Sequence, residues 1–161
     1  MHPEGRVLGC MFLTFPNPEL GGAERPADVI NNAVDFFVFK LDGTGEIRFY
    51  NKSSIVRVEY WDGESRPDQG ARPQPCRITL MDGALFDGEI CKALPEENSR
   101  LYDYMNDTQE RFLTLRLADG NVALINKTYI VCISSLESSL TYSSDDSSMS
   151  CPLLSLELVR S

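Results

Sequence analysis

Histidine is all but missing from these 161 residues, with His2 alone beside the first methionine. Ser-His and Cys-His nucleophile pairs, and metal sites built on imidazole, therefore have no material to work with. Basic charge is scarce as well: 15 Lys and Arg face 24 Asp and Glu, for a formal net charge of -9. Attraction to phosphate backbones or anionic lipid needs clustered cations, so both kinds of partner start at a disadvantage. The richest apolar run, Asp35 to Leu41 around Phe36, Phe37, Val38 and Phe39, falls far short of a bilayer span. Met1 to Arg6 lacks the basic start of a secretory signal. Cys10, Cys76, Cys91, Cys132 and Cys151 are odd in number and scattered, with no Cys-x-x-Cys pair for zinc. These features predict a cytoplasmic chain with reduced thiols, no membrane span, no metal and no cofactor.

What the chain does have is a long internal period. A shift of 75 positions lays Arg25, Asp28, Asn31, Phe37, Gly45, Asn51, Lys52, Ile55 and Val56 on Arg100, Asp103, Asn106, Phe112, Gly120, Asn126, Lys127, Ile130 and Val131. Turn residues match along with apolar ones, which points to two copies of one supersecondary unit related by internal duplication. With 42% hydrophobic residues the chain can bury a core either as one domain or as two small modules packed together.

In the second copy, Cys76 to Met81 alternates, Asp82-Gly83 supplies a turn pair, and Leu85 to Leu94 resumes a strand pattern. Pro95 stops it. Asn98 or Ser99 is placed to cap a short helix carrying Leu101, Tyr104 and Met105 on one face. Strands follow at Arg111 to Leu117 and Val122 to Ile125 across Asp119-Gly120, then Asn126-Lys127 breaks the run before Tyr129 to Ile133. The first copy repeats the order: an opening strand at Val7 to Phe15, a helix at Pro26 to Ala33, a hairpin of Phe36 to Leu41 and Glu46 to Tyr50 across Asp42-Gly43-Thr44-Gly45, and a closing strand at Ser54 to Tyr60. The expected division is a first repeat at 1–61, a Gly/Pro-rich linker at 62–75, a second repeat at 76–136 and a Ser/Asp-rich tail with an apolar end at 137–161.

Short strands with one inserted helix, given twice, predict a mainly β fold of two tandem small barrels of the SH3-like or Sm-like kind. Ile78, Leu80, Gly83, Phe86, Gly88 and Ile90 resemble a first Sm motif, and Leu124 to Ile130 occupies the place of the second. Asn-Lys stands where RNA-binding members carry Arg-Gly. Arg100 to Asn106 and Asn126 to Val131 also resemble an uncharacterised bacterial small-barrel family with an Arg-Leu-x-Asp-x-Leu-Asn helix start and a closing Asn-Lys-x-x-Ile-Val. That resemblance implies a fold and a bacterial cytoplasmic setting, with no attached chemistry.

Of the residues that could do more than fold, Asn51, Lys52, Asn126 and Lys127 stand on the turn before each closing strand, where Sm-like barrels hold RNA bases. The bland alternative is that Asn accepts turn geometry and Lys keeps an exposed turn solvated. Arg25 with Asp28 has the spacing of a local ion pair or cap contact. Tyr60 and Trp61 are the aromatic pair expected at a pocket or interface, and Asp42 to Glu46 reads as a hairpin turn rather than a phosphate cradle. The expected function is a non-enzymatic protein-interaction module whose strand edges bind other chains, with homo-oligomers among the outcomes. Single-stranded RNA binding in the Sm manner is the alternative. A cyclic-dinucleotide receptor is more remote, because its Arg-x-x-x-Arg arm and Asp-x-Ser-x-x-Gly strand are missing.

Overall fold

The computed structural model describes residues 5–14, 24–62, 72–92 and 101–136. The expectations for Asn98, Ser99 and Arg100, for most of the linker, for Cys151 and for the tail from 137 lie outside the described residues. Strands β1 (Gly9–Met11), β2 (Phe36–Leu41), β3 (Ile47–Asn51) and β4 (Arg57–Trp61) come from the first half, with helix α1 (Pro26–Asn31) between β1 and β2. The second half supplies β5 (Gln74–Leu80), β6 (Leu85–Ile90), helix α2 (Leu101–Asn106), β7 (Phe112–Arg116), β8 (Asn121–Asn126) and β9 (Ile130–Ser135).

The chain is mainly β, as expected, and all strand pairs among the described residues are antiparallel. The tandem barrels are a different matter. One sheet has three strands in the order β1-β2-β3 and the other has six in the order β4-β8-β7-β6-β5-β9, so neither is closed into a barrel among the described residues. The first half has no described counterpart of β5. Its last strand, β4, pairs instead with β8 of the second half, from Arg57 opposite Ile125 to Trp61 opposite Asn121. β5 begins at Gln74, two residues inside the stretch read as linker.

The 75-residue spacing holds for both helices and for the 3-10 turns Lys52–Ser54 and Lys127–Tyr129. It slips by one residue in the hairpins. Phe36 lies opposite Asn51, and Phe112 lies opposite Asn126, so Phe36 rather than Phe37 occupies the position of Phe112. The longer turn Asp42 to Glu46 absorbs the extra residue, with Gly43 and Gly45 at φ 77° and 69°, where a side chain would be strained.

Among the described residues two apolar clusters hold the fold. One lies within the second half and joins Cys76, Ile78, Leu80, Ile90, Tyr104, Leu113, Leu115, Ala123 and Ile125. The other spans the halves, joining Ile30 of α1 and Phe37 of β2 to Phe112, Val122 and Leu124. Alternation explains the split, since successive β8 residues point to opposite faces, Ala123 and Ile125 into one cluster and Val122 and Leu124 into the other. Phe37, Phe39 and Tyr50 add ring contacts with centroids 6.0 to 6.2 Å apart. Gly88 is required by close approach: a Cβ there would sit 2.8 Å from Leu115 Cγ and collide with the Arg116 carbonyl.

Candidate functional site

The two Asn-Lys pairs are built alike. Asn51 Oδ1 accepts from Ser53 N at 2.8 Å and Asn126 Oδ1 from Thr128 N at 3.1 Å, so each asparagine caps its 3-10 turn. Both keep ordinary extended backbone, at φ -74° and -66°, so left-handed geometry is not their role. The lysines do not point to solvent. Lys52 is 1% exposed, and its Nζ donates to Val29 O at 2.6 Å, Asn32 O at 3.2 Å and Asn32 Oδ1 at 2.6 Å. Lys127 Nζ donates to Tyr104 O at 3.2 Å and Asp107 O at 2.8 Å. In both halves an ammonium ties the last carbonyls of a six-residue helix to the turn before the closing strand. Burial lowers both amines from their ordinary pKa. Arg111 adds to this at Lys52 against Asp35, while Asp107 and Glu110 oppose it at Lys127.

The asparagines differ in what else they reach. Asn126, 1% exposed, also donates from Nδ2 to Ile55 O at 2.9 Å and Lys52 O at 3.4 Å, which stitches β8 to the first half. Asn31 does the same from the other side. Its Nδ2 donates to Phe112 O at 3.1 Å and its Oδ1 accepts from Phe112 N at 2.8 Å, closing the main chain at the start of β7. Tyr129 Oη donates to Ser53 O at 3.1 Å across the same boundary.

Above this seam α1, α2, β4 and β7 enclose about 430 Å³, lined among others by Arg25, Asp28, Tyr60, Lys92, Tyr104 and Glu110. Arg25 N donates to Asp28 Oδ2 at 2.8 Å, the cap contact expected from their spacing, with the guanidinium 3.6 Å away. Lys92 lies 2.9 Å from Asp107 and 3.1 Å from Glu110, with its Nζ 4.9 Å from the centre of the Tyr104 ring. Burial works to lower the Lys92 amine, but the two carboxylates outweigh it and hold it above its usual value. Asp107 is held below the usual carboxylate range by the Gln109 N–H and then by Lys92. Burial, with Glu110 beside it, raises the Tyr104 phenol, and burial with Asp62 nearby pushes Tyr60 up to about 12. Arg25, Lys92 and Arg116 are balanced in this wall by Asp28, Asp62 and Glu110, so its formal charges sum to zero.

Tyr60 lines this cavity, while its neighbour Trp61 is 71% exposed. The structure brings Lys52, Asn126 and Tyr60 to the boundary between the halves, Lys127 under α2, and Asn51 to the far end of β3. Asn31, Lys92 and Glu110 were not singled out from the sequence. Asn31 did belong to the 75-residue correspondence, but Lys92 carried no local signal because its partners follow it by 15 and 18 positions in the chain. Cys10, Cys76 and Cys132 are free thiols, with Cys10 and Cys132 exposed and Cys76 pushed up to about 11 by burial and then by Asp87. Among the described residues no cluster of metal-ligating side chains occurs, and no helix is long and apolar enough to cross a membrane. No protein-family model, curated protein or solved structure matches this chain.

Three large apolar side chains lie away from both clusters, on the outer side of the three-stranded sheet: Phe36 at 53% exposure, Ile47 at 55% and Phe49 at 69%. β3 ends that sheet, and β9 ends the larger one. Neither strand is proline-blocked. β9, Ile-Val-Cys-Ile-Ser-Ser, carries no charge at all, and charge is the usual protection of an exposed edge.

Proposed function

We propose that this chain is a non-enzymatic protein-interaction module, made of two duplicated small β units of the SH3-like or Sm-like kind, that works in the cytoplasm by accepting strands from other chains. The observation that carries the reading is the edge of β3, where Ile47 and Phe49 stand exposed with Phe36 beside them on the neighbouring strand. An edge strand supplies main-chain affinity, and exposed side chains at alternate positions supply selectivity. The RNA reading has less support, because the ammonium groups of Lys52 and Lys127 are engaged by helix carbonyls.

The test compares the full chain with its Phe49→Lys variant as baits in a native extract, followed by amide hydrogen exchange on any complex recovered. Partners that need Phe49 or the β9 edge, with slowed exchange across Ile47–Asn51 or Ile130–Ser135, are the expected result. Partners held equally by both baits, with neither edge protected, would overturn the proposal.

A further inference from the structure

The seam between β4 and β8 shows what covers such an edge. Asn126 N donates to Val56 O at 3.0 Å and Asp62 N to Gly120 O at 3.3 Å, so alternation makes Val58 and Tyr60 the β4 residues bonded to β8, at Leu124 and Val122. In the three-stranded sheet, Lys52 N donates to Asp35 O and Leu41 N to Glu46 O, which turns Arg48 and Tyr50 toward β2 and Ile47 and Phe49 outward. On β9, Leu136 N donates to Pro75 O, so Cys132 and Ser134 face β5 and Ile133 faces outward. The outward residues of β3 therefore lie 75 positions before Val122 and Leu124, and Ile133 lies 75 positions after Val58. The β3 and β9 edges carry, in phase, the same halves of a pairing that the chain already makes once inside itself.

The side chains agree. Phe112, Val122 and Leu124 are 0 to 2% exposed under α1 and β4, while Phe36, Ile47 and Phe49 in the corresponding places are 53 to 69% exposed. α1 also locks its neighbour through Asn31 on the Phe112 main chain. Its counterpart Asn106 is exposed and, among the described residues, donates within α2 to Tyr102 O; it would take the part of Asn31 against the Phe36 main chain of a second molecule. Asn51 would likewise take the part of Asn126, whose amide crosses the seam to Ile55 O and Lys52 O.

From this match we infer that the occupant of the β3 edge is a second copy of this chain, which docks its β9 and α2 head to tail so that the intrachain seam is repeated between molecules. The inference rests on the strand-addition reading and names its partner. Shifting the observed β4·β8 register by 75 positions sets Cys132 opposite Tyr50, Ile133 opposite Phe49 and Ser134 opposite Arg48. Such an interface joins unlike surfaces, so it closes into a ring or runs on as a filament according to the rotation between copies. The charge of -9 opposes association, but repulsion between exposed charges is screened beyond about 8 Å at physiological salt.

The test uses the full chain at physiological ionic strength. Light scattering after size exclusion, up to about 0.5 mM to reveal even weak association, is expected to show masses above the 18.0 kDa monomer that grow with concentration. The Phe49→Lys variant is expected to remain at 18.0 kDa with an unchanged melting curve, because that ring is exposed and supports no core. In a mixture of the separate variants Arg48→Cys and Ser134→Cys, mild oxidation should join residue 48 of one molecule to residue 134 of another. The two face each other at a non-hydrogen-bonded site, where Cα atoms come within about 4.5 Å and a disulfide can form. A monomer at every concentration, an oligomer indifferent to Phe49→Lys, or oligomers lacking the 48–134 cross-link each overturn the inference. A monomer that still binds a different protein through the Phe49 edge would sink the second-copy assignment and leave the interaction reading standing.

Discussion

Replacing Lys52 with methionine tests the most unusual piece of physics in this fold, a buried ammonium holding a short helix by its carbonyl end. Methionine keeps most of the stem volume and removes the three donors that reach Val29 O, Asn32 O and Asn32 Oδ1. A hydrogen bond to a charged group contributes about 1.5–3 kcal/mol. Asn32 is exposed, so water can replace the lysine at two of the three acceptors, and the variant also escapes the cost of burying a charge. The Val29 carbonyl, on a half-buried helix face, bears most of the loss. The net expectation is destabilisation of about 2–3 kcal/mol. Urea unfolding followed by circular dichroism measures it, and hydrogen exchange should show the Pro26–Asn31 helix opening faster while β5 and β6 keep their protection. A loss below about 0.5 kcal/mol, the size of an ordinary surface substitution, with α1 exchange unchanged, would refute the claim that Lys52 anchors the helix.

Asn31→Ala should cost about 2–4 kcal/mol, because it strips partners from both main-chain groups of Phe112, a fully buried residue. Asn106→Ala, measured in dilute solution, should cost under about 0.5 kcal/mol at its exposed site; equal losses in urea titrations of the two would contradict the assigned seam. The Cys76 thiol, raised from 9.0 to about 11, releases its proton in the unfolded chain first, so its contribution to stability is whole below pH 9.0 and declines toward pH 11. Unfolding curves across that window, with Cys76→Ala as reference, should show the variant declining less steeply; parallel profiles would refute it. At neutral pH iodoacetamide should label Cys10 and Cys132 while sparing Cys76, as peptide mass spectrometry can read directly.

Much of the local structure was legible because local chemistry specifies it. Asp82-Gly83 and Asp119-Gly120 turn their hairpins with the glycines at φ 83° and 84°, as the dipeptides implied. The helix beginning at Pro26 and the break at each Asn-Lys follow from rules that involve only near neighbours. The site was less legible. Lys52 read as a solvated turn residue because its acceptors on Val29 and Asn32 lie 23 and 20 positions back, and only packing α1 over the turn brings them within 3.2 Å. The one-residue slip that exposes Phe36 and buries Phe37 was equally hidden, since gapless alignment of the halves favoured Phe37 and only strand pairing distinguishes them.

The amino-acid order alone settled the alternation of the strands, the places of the turns and the 75-residue recurrence of helix and Asn-Lys turn, because backbone preference and side-chain periodicity act over a few residues. Which strand lies beside which was decided only in three dimensions. β4 joins β8, and β3 is left as an edge, because pairing depends on whether a complementary strand is within reach, and the first half offers β4 no described counterpart of β5. The same apolar alternation is buried at Val122 and Leu124 and exposed at Ile47 and Phe49, and the difference lies wholly in what packs against it.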